Sequence, residues 1–218
     1  MELFSYLLGK KSSGGGGGGA DLSDYFTSTI GYEGFEAMVK KIPDTTTVEG
    51  TDLHSAFVGY KGTAIPLLDT SNVTVMNGMF NGCTNLITIP LLNTSKVNNM
   101  TSMFNNCSSL VSIPLIDTSS VISANMNNMF ANCTSLETVP VLNTTNLTNM
   151  NDMFYGCTSL SDTSLDNILQ MCINSKITMQ TRKKLTSVGI SSTNYPASKI
   201  EALPHYQDFI DAGWVTGY

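Results

Sequence analysis

Apolar positions in the middle of the chain recur in a long, regular pattern. The element Met-Phe-x-x-Cys-x-x-Leu starts at Met79, Met103, Met129 and Met153. A second marker, an Ile/Val-Pro pair, falls at Ile42-Pro43, Ile65-Pro66, Ile89-Pro90, Ile113-Pro114 and Val139-Pro140, with prolines 23, 24, 24 and 26 residues apart. Within one unit, Val97, Met100, Met103, Phe104 and Cys107 stand at offsets 0, 3, 6, 7 and 10. At about 100° per residue these offsets share one helical face. The Asp/Asn-Thr-Ser/Thr before each set supplies oxygens for an N-cap. Next comes a short β-branched run ended by proline, such as Leu110-Val111-Ser112-Ile113-Pro114. Proline lacks the ladder donor and biases its predecessor to extended geometry, so the run predicts a short strand.

Each unit thus predicts a short helix and a short strand, an α/β pattern. One unit cannot bury its apolar face alone, so the units must stack. Phe80, Phe104, Phe130 and Phe154 are expected in one internal column, Cys83, Cys107, Cys133 and Cys157 in another, and the methionines in two more. The third unit carries two extra residues near "VISANM", expected to bulge out before Met126. The first unit is degenerate, with Leu53, Phe57 and Tyr60 in the Met, Phe and Cys places.

These residues resemble the leucine-rich repeats of the BspA-like type, with units of about 23–25 residues around an Ala/Met-Phe-x-x-Cys element. The resemblance covers about Val39 to Leu160. It implies a leucine-rich-repeat right-handed solenoid that serves binding, often on bacterial surfaces as an adhesin.

The ends differ from the repeat. Residues 1–11 read as an amphipathic anchor segment, with Leu3, Phe4, Leu7 and Leu8 at helical spacing. A helix this short is not stable alone. It stays idle, serves as a tag, or docks onto a larger assembly. Residues 12–20, "SSGGGGGGA", read as a flexible linker with a reach of roughly 15–18 Å. The head and glycine tract also resemble the start of some prophage-encoded repeat proteins, which implies a phage tail as the assembly. Residues 21–38 are assigned to an N-terminal cap, 39–161 to the repeats and 162–218 to a helical C-terminal cap. In that cap Leu165, Ile168, Leu169 and Cys172 mark one helix face behind a Thr163/Ser164 cap. A second helix fits 178–187, closed by Gly189, and a third follows Pro204 and ends at Gly213. Trp214 is expected to pack against these helices.

Composition narrows the partner. The 218-residue chain is 41% hydrophobic but only 13% charged, with a net charge of −6. Asn, Ser and Thr take the place of the missing charges. No basic run exceeds Arg182-Lys183-Lys184, which argues against nucleic acid. No stretch nears the roughly 18 apolar residues of a membrane span. The lysines of "MELFSYLLGKK" follow the apolar residues instead of preceding them, unlike a secretory signal. The expectation is synthesis in the cytoplasm without a signal peptide, reduced cysteines and association with a virion.

No catalytic constellation emerges. His54 and His205 lie in different segments, and His54 is expected on a solvated face. Four of five cysteines belong to the stacking column, where a thiol acts as a small hydrophobe. The cysteines lack zinc spacing. The column Asp69, Asn93, Asp117 and Asn143 offers too few carboxylates for calcium and suits turns and caps. No metal and no cofactor are expected. The candidate site is a binding surface. Strand side chains that miss the core would line a concave face: Ile87, Thr88, Leu91, Val111, Ser112, Leu115, Glu137, Thr138 and Val141. With hydroxyls, aliphatics and one charge, it suits a protein or a neutral glycan, although aromatic platforms for sugars are absent.

Overall fold

The computed structural model describes residues 46–48, 51–178 and 183–218. The anchor residues Leu3, Phe4, Leu7 and Leu8, the linker and the N-terminal cap lie outside the described residues. No described helix is long and apolar enough to cross a membrane.

The repeats pile rung upon rung. Phe57, Phe80, Phe104, Phe130 and Phe154 form a single file with ring centroids 5.4–5.5 Å apart, and the Phe104 and Phe130 planes differ by only 3°. Phe57 of the degenerate first unit stands in the same file, so its place in the repeat holds. The Met-x-x-Met-Phe-x-x-Cys residues are fully or almost fully buried in every rung from Met76 to Cys157. The insertion before Met126 leaves this file unbroken. It places Ile122 in solvent and turns Ser123 to a φ of 60°.

The expected helices within the repeats are not formed. Among the described residues, the arc from the first Met to the Cys is a run of tight turns. In one rung Met79, Asn81 and Cys83 donate their N–H groups to the carbonyls three residues back, at 3.0–3.2 Å. The alternate groups leave the rung: Met76, Gly78, Phe80 and Gly82 donate to Asn99, Thr101, Met103 and Asn105 of the next, at 2.8–3.0 Å. A helix would have consumed these groups internally.

Two columns of left-handed residues make the turns. The residue two before each Phe is Ser55, Gly78, Ser102, Asn128 or Asp152, and the residue before each Cys (Tyr60 in the first unit) is Gly59, Gly82, Asn106, Asn132 or Gly156. All have φ between 52° and 74°. Only residues that tolerate this region recur there: glycine, or short polar side chains that bond locally. An apolar spacing of 3, 3, 1 and 3 fits a helix and a chain of turns alike. The Gly/Asn/Asp/Ser columns are the signal that separates them.

The expected strands are likewise reduced. Among the described residues, regular pairing is confined to β1 (Thr46–Thr47) and β2 (Leu68–Asp69), parallel, with Thr46 opposite Leu68. Further rungs meet through single parallel bridges such as Ser112 with Thr138. On this side the bonds point backwards: Ile87, Val111, Glu137 and Ser161 donate to Thr63, Ile87, Val111 and Glu137, at 2.9–3.1 Å. Proline ends each run before a longer ladder can form.

The last rung is closed by the C-terminal segment. Helix α1 spans Asp162–Asn174, and its N-cap is Ser161, whose Oγ accepts from the Ser164 N–H. The expected helix over 178–187 is absent from its described part, where Leu185–Val188 form a single 3-10 turn ending at Gly189. The reason lies in the neighbouring rung. Ser187 and Val188 offer their carbonyls to the Asp152 and Phe154 N–H groups, both at 2.9 Å. Gly189, at φ 98°, passes so close that a Cβ would collide with the backbone of Phe154 and Tyr155. Sequence reading missed α2 (Ala197–Glu201), which starts behind Pro196. Its signal was that proline at a helix start. Helix α3 covers Tyr206–Asp211 after Pro204, and Gly213 follows at φ 81°. Trp214 is buried with its ring 5.6 Å from Phe209, in core packing as expected.

Candidate functional site

The surface nominated from the sequence divides by exposure. Leu91 and Leu115 are 61% and 66% exposed, Ile87 is 46%, and Val111 is 37%. Thr88, Glu137 and Thr138 are also exposed, whereas Ser112 and Val141 are half-buried, with Val141 packed on the core. Leu67, one rung earlier and 37% exposed, belongs to the same column and was missed. It occupies the place after the rung proline, as do Leu91, Leu115 and Val141. The backward bonds through Thr63, Ile87, Val111 and Glu137 join these rungs side by side. The result is a stripe of aliphatic side chains edged by hydroxyls, with Glu137 at one end. The buried neighbours along the same run (Leu86, Ile89, Leu92) recur every third residue and face the core, which leaves Ile87, Thr88 and Leu91 outside.

The thiols take no part in this surface. All five cysteines are free and buried. Cys83, Cys107, Cys133 and Cys157 donate to the carbonyls of Phe57, Phe80, Phe104 and Phe130 of the preceding rung, at 2.9–3.1 Å. The neighbouring Cys133 and Cys83 thiols, and then burial, push the Cys107 thiol far above its ordinary range. Burial, with Cys133 second, does the same to Cys157, and burial alone to Cys172.

The histidines are both engaged. His54 is half-buried, not solvated as expected. Its Nδ1 faces the Asn77 side-chain nitrogen and its Nε2 lies 3.3 Å from Ser55 Oγ. Asp52 holds the His54 backbone N–H instead of the ring. Both ring nitrogens of His54 are thus engaged with neighbouring polar side chains. His205 sits at the start of α3 and gives both its backbone N–H (2.8 Å) and Nδ1 (2.7 Å) to Asp166 on α1. This pair fastens α3 to α1.

The turn residues behave as their chemistry requires. Oδ1 of Asp69, Asn93, Asp117 and Asn143 accepts the N–H two residues on, at 2.9–3.2 Å. Hydrogen bonds from the Ser119 side chain and backbone lower the Asp117 carboxyl. Among the described residues no cluster of three or more His, Cys, Asp or Glu could hold a metal ion. A buried threonine follows each of these residues, and Thr70, Thr118 and Thr144 donate across to Asn93, Asn143 and Met171 carbonyls. Thr94 alone has an unpartnered buried Oγ1.

These features define a repeat protein of parallel rungs with an aliphatic stripe on one face. Residues 51–168, more than half of the chain, match the family described as "Mycoplasma protein of unknown function, DUF285", and the chain belongs to that family. No curated protein matches it. A solved crystal structure of a leucine-rich repeat protein from Eubacterium ventriosum is similar at 26% identity, over 49% of this chain and 27% of that one, with a TM-score of 0.37. The chain thus spans about a quarter of that protein's length.

Proposed function

We propose that the protein is a non-enzymatic binding module of the BspA-like leucine-rich type, a right-handed solenoid whose aliphatic stripe docks a protein or neutral glycan. The single observation that carries this reading is the exposure of Ile87, Leu91, Val111 and Leu115 on successive rungs. An apolar stripe rimmed by hydroxyls has the composition of an interaction surface. The engaged histidines and buried thiols favour binding over catalysis.

The module is attached through residues 1–11 to a phage or prophage tail and released from the cytoplasm by lysis. The support for this attachment is the head "MELFSYLLGKK" with its glycine tract and its resemblance to prophage repeat proteins. Removing residues 1–20 is expected to leave folding intact and to abolish incorporation into particles, read by mass spectrometry of purified particles. Undiminished incorporation refutes the anchor. A chain found on intact cells without phage induction would instead make it a surface adhesin.

The stripe is tested separately, by retention of the fluorescent chain on envelopes of the source organism. Leu91→Asp with Leu115→Asp should lower retention about tenfold or more if these side chains are central to the contact. Retention equal to that of the parent chain would remove the stripe from the function.

A further inference from the structure

The aliphatic stripe is edged by charges of one sign. Val111 donates its N–H to the Ile87 carbonyl, and Glu137 donates its N–H to the Val111 carbonyl. Glu137 therefore stands next in the column that those two aliphatics begin, and it is exposed. Further along the rung of Val111, Leu115 and Asp117 flank buried Ile116 and both face solvent. An exposed carboxylate thus borders Leu91 and Leu115 on either side, one in the rung of Leu115 and one in the next.

Nothing in that part of the chain balances these charges. From Val97 to Ser175 the sequence holds five carboxylates and no Lys, Arg or His. Two of the five, Asp162 and Asp166, are paired with Lys199 and His205. Among the described residues, Asp117 and Glu137 have no cationic partner. The earlier cations are held elsewhere: Lys61 Nζ lies 3.3 Å from Thr84 Oγ1, and Lys96 Nζ lies 3.4 Å from Asn72 Oδ1. Carboxylates beside an apolar contact select partners by charge as well as by shape. Nucleic acid, acidic lipid and acidic polysaccharide are repelled. A neutral glycan leaves both carboxylates without a counter-charge and finds no aromatic platform among Ile87, Leu91, Val111 and Leu115. Lys and Arg suit the place twice over, because their stems lie along aliphatic surface while their heads stay in water.

We propose that the stripe takes a basic amphipathic protein segment, whose apolar side chains cover Leu91 and Leu115 while Lys or Arg on its two edges meets Asp117 and Glu137. The inference rests on the stripe being a docking face and adds the chemistry of what docks there.

The test titrates the full chain into three fluorescein-labelled peptides of alternating leucines, in which the intervening residues are all Lys, all Ser or all Glu. Fluorescence polarisation should show the Lys peptide binding about fivefold more tightly than the Ser peptide, and the Glu peptide not at all. Asp117→Asn with Glu137→Gln should abolish that preference. Asn already accepts the same turn bond at Asn93 and Asn143, so the fold is kept, as an unchanged melting temperature would show. Leu91→Ser with Leu115→Ser should weaken the Lys and Ser peptides alike. Equal affinity for those two peptides overturns the proposal and leaves the docking face standing. A Lys preference that survives the Asp117→Asn, Glu137→Gln change does the same. Binding of none of the three, or binding indifferent to the loss of both leucines, removes the docking face and the proposal with it. Retention on neutral dextran, lost with Leu91→Ser and Leu115→Ser, overturns the proposal in favour of a glycan.

Discussion

The Cys107 thiol donates across the rung boundary to the Phe80 carbonyl at 3.1 Å, the same oxygen that already accepts the Cys83 N–H. One carbonyl thus closes a turn in its own rung and ties down the next. This explains why cysteine, and not alanine or valine, recurs at that place. It is small enough for the column and carries a weak donor aimed along the stack.

The ring file is the most sensitive part of the core. Phe104 is sandwiched between Phe80 and Phe130 and is fully buried. Phe104→Ala should cost roughly 3–5 kcal/mol, measured by urea denaturation. A midpoint equal to that of the parent would show that the file is not part of the core.

The left-handed columns discriminate between side chains by shape. At Ser102, φ is 56°. Ser102→Val should cost about 1–2 kcal/mol because a branched Cβ crowds the following carbonyl, while Ser102→Gly should be close to neutral. Thermal melts of the two variants check this, and equal losses would deny the turn geometry.

The threonine column supplies a matched pair. Thr118 donates to the Asn143 carbonyl at 3.0 Å, whereas Thr94 Oγ1 is buried without a partner. Thr118→Val should lose about 1 kcal/mol, and Thr94→Val should be neutral or stabilising. A reversed order of the two midpoints would contradict the assignment.

Closure of the last rung depends on one hydroxyl. Tyr195 Oη donates to the Cys157 carbonyl at 2.7 Å and accepts the Leu160 N–H at 2.8 Å. Tyr195→Phe leaves both groups buried and unsatisfied, at about 1–3 kcal/mol. Hydrogen exchange of the Leu160 amide should accelerate, with central amides such as Phe104 much less affected. Unchanged exchange at Leu160 would place the closure elsewhere.

Alkaline pH should destabilise the fold. The neighbouring thiols and then burial raise Cys107, burial and then Cys133 raise Cys157, and burial alone raises Cys172, all above the ordinary 9.0; burial raises Tyr195 from 10.0 to about 12. Above pH 9 the unfolded chain loses these protons while the folded chain keeps them. Stability is therefore fully present below pH 9 and falls as pH rises from there, with Tyr195 adding its share between 10 and 12. Urea midpoints at pH 7.5 and 10 should differ in that direction.

The period, the single file of phenylalanines, the buried thiols and the outward Ile87, Leu91, Val111 and Leu115 were all legible in the order of residues. Identical units can bury their faces only against one another, so repetition dictates the stacking. The tertiary structure alone decided what lies inside each unit. Apolar offsets of 3, 3, 1 and 3 suit a helix and a chain of turns equally, and the choice fell to the neighbouring rung. Its carbonyls accept the N–H groups of Met76, Gly78, Phe80 and Gly82 that a helix would have kept. The same competition leaves a single 3-10 turn in the described part of the helix expected over 178–187, because the last rung needs the Ser187 and Val188 carbonyls. The sequence states which side chains meet, but backbone bonding is settled only where a second strand of chain arrives with an acceptor.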